Sequence, residues 1–342
     1  MQKSIFILFL SAFLCIGCSS QMENNIPDDK AFTIDFFAMD TIMTITAYGP
    51  LGEDAVQAAV NEVKRIEQLF STNIETSDIA MINQNKQQKV SAETIALLKT
   101  SIQLYNKTNG AFDIAVFPIV KAWGFTTGTQ QIPSDELLAD LLPHTDANNI
   151  LLNESTLIVS IPPEMELGLG GIVKGYTSAR IMNIFKEYGV QSGIVNLGGN
   201  VQVLGSKPDG AFWNIAIKNP LKTDTYIGAV SVKNQAVITS GAYERYFEAD
   251  GAIYHHLIDP KTGCPANTTL ASVTIIANDG TAADALTKLF VMGLEDASTY
   301  CRANADDLDA IFVTKDKKVY ITEGLKDSFT LQAEDYQLEI IN

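Results

Sequence analysis

Three histidines, two tryptophans and four cysteines are all that this chain of 342 residues carries of the rarer side chains. Cys15 and Cys18 sit in the leading apolar segment, which leaves Cys264 and Cys301 for the folded part. Two are too few for a disulfide framework, and no cysteine spacing suggests zinc. Basic side chains are also short: 24 Lys and Arg stand against 40 Asp and Glu, a net charge of −16 at pH 7. That balance argues against nucleic acid or an anionic membrane surface as a partner. Apolar runs are brief, and residues 4–16 are too few to span a bilayer. Long Pro/Gly/Ser linkers, internal repeats, a Walker-type phosphate loop and a Ser-His-Asp signature are missing as well. With hydrophobic residues at 46%, ample for a packed core, the chain reads as one large domain.

The N-terminus reads as an export signal. Met-Gln-Lys precedes the apolar run, and Gly17-Cys18-Ser-Ser-Gln21 resembles the lipobox at which lipoprotein signals are cut and the cysteine is lipidated. Cys15 stands where that pattern usually has Leu; an ordinary signal peptide with an incidental cysteine is the other reading. Residues 1–18 are thus a lipoprotein signal, 19–30 a polar tether containing Pro27, and 31–335 the folded domain. Acyl chains on Cys18 would hold the protein on a bilayer, each buried methylene adding about 0.8 kcal/mol. The expected location is extracytoplasmic, facing the periplasm from the inner membrane.

Within the domain, alternating residues 41–48 predict a strand, and Val56, Ala59, Val60, Val63, Ile66 and Leu69 form a helical stripe over 54–70. A second helix is expected over 92–106, strands over 151–161 and 193–217, and a helix over 174–188 between them. Short strands follow at 227–232, 237–239, 252–257 and 271–276, with a hairpin turn at Asp250-Gly251. Helices at 282–292, ending at Gly293, and at 297–304 complete an α+β pattern without regular βαβ alternation.

Three glycine-rich segments could let backbone approach a phosphate: Leu169-Gly-Gly-Ile-Val-Lys-Gly175, Asn196-Leu-Gly-Gly-Asn200 and Ser240-Gly241. Gly170-Gly171 before a helix carrying Lys174 would offer a pyrophosphate backbone amides and one ammonium. Each alone is as readily a plain turn. His255-His256-Leu-Ile-Asp259 gathers two of the scarce histidines; strand-end packing suits His255 and a site role suits His256. Asp284 and Thr287, three apart on one helical face, could hold a hard cation, or Asp284 could cap its helix.

In chain order, Gly110-Ala-Phe-Asp113, Pro118, Trp123-Gly-Phe125 and the segments around Gly171, Gly198, Ser240, His256 and Asp284 resemble the FAD:protein FMN transferase (ApbE) family over residues 36–293. The resemblance implies a T-fold-like α+β sandwich of mixed or antiparallel sheet and helices, with FAD in a cleft and magnesium on its pyrophosphate. It implies that Met39, Asn73 (at a position usually Tyr), Ala111, Phe112, Asp113, Lys174, His256 and Leu257 line the FAD site. Gly171 through its carbonyl, Asp284 and Thr287 would be the metal ligands, and His256 the base. The activity implied is magnesium-dependent transfer of FMN from FAD to a Thr or Ser hydroxyl, releasing AMP. The implied acceptor is a subunit of a membrane redox complex, such as a sodium-pumping NADH:quinone reductase or an Rnf-type complex. An FAD hydrolase giving FMN and AMP, and a non-catalytic FAD-binding lipoprotein, are the alternatives.

Three departures bear on these expectations. Asn73 replaces an aromatic platform, Gly168 replaces the aspartate before Leu-Gly-Gly, and the segment after Asp284 is one residue short, placing Lys288 beside Thr287. Asp40 where Gly is common is a smaller change.

Overall fold

A computed structural model describes residues 28–126 and 128–341. The signal, most of the tether and the Cys18 lipidation position lie outside the described residues.

The dominant element is a nine-stranded sheet whose spatial order is its chain order: β1 (Ala31–Ala38), β2 (Thr41–Tyr48), β3 (Gly193–Leu197), β4 (Asn200–Leu204), β5 (Ala236–Gly241), β6 (Leu270–Ala277), β7 (Leu308–Thr314), β8 (Lys318–Thr322) and β9 (Gln337–Ile341). Every neighbouring pair is antiparallel except β8 with β9. Each excursion away from the sheet therefore returns next to the strand it left, which antiparallel pairing permits with short or long connections alike.

One face carries the helices. On α1 (Gly52–Phe70), Val56, Ala59, Val60 and Val63 recur at helical spacing and pack with Ile181 and Phe185 of α2 (Val173–Glu187) onto Met43, Ile45, Val195 and Leu197. The helix Ala92–Lys107, capped by Ser91 Oγ accepting from Thr94 N, belongs to the adjoining core with Ile238, Val273, Ile275 and Phe312. The opposite face is covered by a second sheet, Trp213–Lys218, Tyr226–Val232 and Phe329–Leu331, whose Ile217 and Val230 meet Ile276, Ile311 and Val313. Strand β6 lies between both cores and is buried along its whole length. The expected α+β sandwich is the architecture found.

Several expected strands divide. Residues 193–217 fold into three strands, because Gly198 (φ 65°) and Gly199 (φ 99°) turn the chain from β3 into β4 and Trp213–Lys218 crosses to the second sheet. The Asn-Leu-Gly-Gly-Asn segment is thus a hairpin turn, the plain reading of those glycines. Residues 151–161 become Leu151–Asn153 and Ile158–Ser160, which join Gln87–Lys89 in a small separate sheet. Strands β1 and β2 are joined by Met39 (φ 47°) and Asp40 (φ 58°), two left-handed residues of which neither is glycine. Asp250-Gly251 does form a hairpin turn, between Tyr246–Ala249 and Ala252–His255.

The expected single helix over 282–292 changes its winding. It runs as α3 (Gly280–Leu286) and tightens into a 3₁₀ helix over Thr287–Met292. A 3₁₀ turn uses three residues where an α turn uses 3.6, which is compatible with the one-residue-shorter segment that the resemblance implies.

Candidate active site

The site forms where the end of β5, the start of α2 and the junction of α3 with the 3₁₀ helix converge. Glycine makes this possible. A Cβ on Gly175 would stand 2.1 Å from the Gly280 carbonyl oxygen and 2.5 Å from Asp284 Cβ, so only glycine lets α2 approach α3 this closely. Across that contact Gly175 N–H donates to Asp284 Oδ2 at 2.8 Å. Asp284 does not cap its own helix. Asp279 Oδ1 does that, accepting from Thr281 N. The buried Asp284 carboxylate instead serves the first turn of α2, whose N-cap position, Ile172, offers no side-chain cap.

Around Asp284 the polar groups interlock. Thr287 Oγ1 donates to the Asp284 carbonyl at 2.6 Å, Ser240 Oγ donates to Thr287 Oγ1 at 2.8 Å, and Lys288 Nζ donates to Thr287 Oγ1 at 2.9 Å and to Ser240 Oγ at 3.3 Å. Lys288 Cε and Nζ pass 3.4 and 3.7 Å from where a Cβ on Gly171 would be. Thr287 and Lys288, three and four positions after Asp284 across the change from α to 3₁₀ winding, both reach this spot. Burial pushes the Lys288 ammonium below the usual lysine range, against the opposing charges of Asp284 and Glu244; Lys174 adds like-charge repulsion.

The expected metal ligands Gly171, Asp284 and Thr287 are therefore brought together, but Lys288 runs into the same place. A magnesium ion sits about 2.1 Å from each oxygen that holds it. Bound to Thr287 Oγ1 it would crowd an ammonium already hydrogen-bonded to that atom. One Asp284 oxygen is also engaged by the Gly175 amide. With Lys288 in this position the donor set does not fit a divalent ion.

The other expected residues take varied positions. Lys174 lies in the first turn of α2 and shares the electrostatic field of Lys288 and Glu244. His256 stands after the Ala252–His255 strand; its backbone N–H donates to the Arg245 carbonyl at 3.0 Å, and Nδ1 lies 3.2 Å from the same oxygen. Burial first, then the Lys288 charge, pushes its imidazole down to about 3, so the ring is neutral at pH 7. A proton on Nδ1 would satisfy Arg245 and leave Nε2 as an acceptor.

Met39 donates its N–H to Glu67 Oε1 at 2.6 Å and packs between two parts of the core. Ala111, Phe112 and Leu257 are buried apolar residues of the core or its edge. A Cβ on Gly171 would lie 3.5 Å from the Phe112 ring. Asp113 accepts from Ala115 N and Asp146 N at 2.8 and 3.0 Å, which spends both oxygens on backbone, and burial pushes its carboxyl up to about 6. It also borders a cavity of about 420 Å³ with Gly110, Thr145, Pro260 and Lys261. Asn73 is exposed beside a second cavity of about 330 Å³, with Thr72, Asn83, Phe117 and Lys121. His255 is a packing residue, its ring edge-on to Phe290 at 5.6 Å.

Sequence and structural similarity give the family. The ApbE family model matches residues 39–312. A Klebsiella pneumoniae FAD:protein FMN transferase is 31% identical, covering 91% of this chain and 98% of that enzyme. The chain belongs to the ApbE family. A Treponema pallidum FAD:protein FMN transferase is 30% identical over 96% of both chains. Among solved structures, the Thermotoga maritima ApbE protein matches with a TM-score of 0.82 at 33% identity, covering 87% of this chain and 98% of the other. The Pseudomonas stutzeri flavinyl transferase ApbE, in its apo form, gives 0.79 at 26%, covering 89% and 98%.

Two departures from the ApbE pattern have a physical reason here. A Cβ on Gly168 would lie 2.5 Å from the Phe117 ring, so that ring fills the space of the usual aspartate side chain. Lys288 is the second: the 3₁₀ winding that starts at Thr287 and the bare Gly171 opposite leave room for its side chain. Ser240 was singled out for its glycine context rather than for its hydroxyl.

The two neighbouring histidines also set a pH response. Burial holds both imidazoles below the usual value, His256 at about 3, whereas an unfolded histidine titrates near 6.5. The unfolded chain thus takes up protons as pH falls below about 6.5 and the folded chain does not, so stability is full above that pH and declines below it. Asp113, raised to about 6, works in the opposite direction between about pH 6 and 4. Urea midpoints at pH 7.5 and 5.5 should show a loss on acidification that is smaller in His255→Phe; an equal loss in both proteins would remove His255 from this effect.

Proposed function

We infer that this protein transfers the FMN half of FAD to a Thr or Ser hydroxyl of a partner protein, releasing AMP. One observation carries the reading: in a chain matching the family over residues 39–312, Lys288 reaches Thr287 and Ser240 while the side-chain-uncapped start of α2, whose first turn carries Lys174, meets Asp284 through the Gly175 amide. An overall charge of −16 makes such a local cationic spot necessary for an anionic dinucleotide. Backbone amides at a helix start together with ammonium groups suit a pyrophosphate.

In the reaction the acceptor hydroxyl oxygen bonds to the FMN-side phosphorus while the bond from that phosphorus to the bridging oxygen breaks; AMP departs with that oxygen, and the hydroxyl proton is lost late, to the departing phosphate oxygen or to solvent. Phosphoryl chemistry of this kind asks the protein chiefly for positioning and charge neutralisation. The ammonium groups of Lys174 and Lys288 supply the charge. His256, neutral and with Nε2 free to accept if Nδ1 faces Arg245, is suited to orient the attacking hydroxyl; at about 3 its basicity is too low for early proton removal. Magnesium dependence, which the family resemblance implies, does not match the donors around Lys288, and the chain's own cations neutralise the charge instead.

The acceptor we propose is a subunit of a membrane redox complex, reached by a protein lipidated at Cys18 and facing the periplasm from the inner membrane. Among the described residues no helix is long and apolar enough to cross a membrane, so membrane attachment on this reading depends on the lipid. Cys18→Ser should move the protein from the membrane fraction to the soluble fraction; retention on the membrane would contradict the anchor. The transfer itself is tested by following AMP with and without acceptor. Acceptor-dependent AMP is expected, and AMP with free FMN in its absence would make the protein a hydrolase.

A further inference from the structure

The place that the family pattern gives to a divalent cation is filled here by a side chain. Lys288 Nζ is bonded to Thr287 Oγ1 at 2.9 Å and to Ser240 Oγ at 3.3 Å, and reaches within 3.7 Å of the Cβ position of Gly171. Asp284, tied to the start of α2 by the Gly175 amide, supplies the opposite charge. The arrangement is built rather than incidental. The missing residue after Asp284, the change to 3₁₀ winding at Thr287 and the absence of a side chain at Gly171 together let a long stem enter from one turn onward.

We propose that the Lys288 ammonium is the resident cation of this site, standing between Gly171, Thr287 and Asp284 in place of a metal ion and receiving the pyrophosphate of FAD. The proposal rests on the FAD reading above. A single ammonium brings one positive charge where a divalent ion brings two, and Lys174 in the neighbouring turn supplies the second. A lysine also cannot be removed by a chelator, so FAD binding survives without metal.

Two measurements test this without requiring turnover. The first is FAD affinity in EDTA, by quenching of flavin fluorescence, for the wild type, Lys288→Ala and Lys288→Met, the last keeping the apolar stem so that packing and charge are separated. Loss of a charge-assisted contact to phosphate predicts affinity at least about tenfold weaker in both variants. The second is binding of Mn²⁺ alone, by electron paramagnetic resonance. Lys288→Ala should bind Mn²⁺ at least about tenfold more tightly than the wild type, and the gain should vanish in Lys288→Ala/Asp284→Ala. Thermal unfolding verifies that each variant is folded. Unchanged FAD affinity in both folded variants overturns the proposal, and so does wild-type Mn²⁺ binding as tight as that of Lys288→Ala. If both measurements come out as expected but no acceptor is ever flavinylated, the resident lysine stands and the transferase reading fails.

Discussion

Gly175→Ala should destabilise the protein by about 3–5 kcal/mol, among the largest effects expected of one added methyl group. The new Cβ would meet the Gly280 carbonyl at 2.1 Å and Asp284 Cβ at 2.5 Å, a backbone atom and a side-chain root, neither of which can swing aside. Helices α2 and α3 must then separate. Overpacking of this kind costs about 1–3 kcal/mol, and separation also breaks the Gly175 amide bond to a buried carboxylate, worth about 1.5–3 kcal/mol. Gly280 is no freer to yield, since it is itself hemmed in by Gln202 and Ser178. Urea unfolding of the variant measures the loss directly; a change under about 1 kcal/mol would mean that the close approach of the two helices is not as described.

Asp284→Ala should cost both stability and activity, and Asp284→Asn should divide the two. Alanine leaves the Gly175 amide without its acceptor and Lys288 without its nearest counter-charge. Stranding a buried charge in this way costs about 3–5 kcal/mol. Asparagine keeps an oxygen for the amide while removing the negative charge that holds the ammonium in place. Its fold should therefore be largely retained. FMN transfer should fall about 10²–10³-fold in both variants, the range seen when a preorganised charge-stabilising group is lost. Rates of protein-bound FMN formation, set beside unfolding midpoints, give the comparison; an Asp284→Asn protein as active as the wild type would remove this carboxylate from the site.

How far the sequence revealed this depended on what each feature rests on. Local periodicity showed the helix with Val56, Ala59, Val60 and Val63, and local turn chemistry showed the hairpin at Asp250-Gly251, because both are decided by neighbours in the chain. The ordered run of short segments pointed to the family even though several of them read individually as ordinary turns. The Met39-Asp40 turn was not visible, since a left-handed methionine is dictated by the pairing of β1 with β2 and not by its own preference. Nor was the division of residues 193–217 between two sheets, which depends on what each strand packs against. Asp284 and Thr287 were legible as a pair three residues apart. The tightening to 3₁₀ winding was not, and that winding, with the bare Gly171 opposite, accompanies the entry of Lys288. Gly168 likewise reads in sequence as a lost carboxylate, whereas in the fold the Phe117 ring, distant in the chain, occupies that space.

The most direct measurement is the intact mass of an acceptor subunit after incubation with this protein and FAD, with AMP quantified in the same sample. The account predicts an acceptor heavier by one FMN group, localised by peptide mapping to a Thr or Ser, and AMP in equal amount. An unmodified acceptor, with FAD left intact or converted to free FMN, would contradict it.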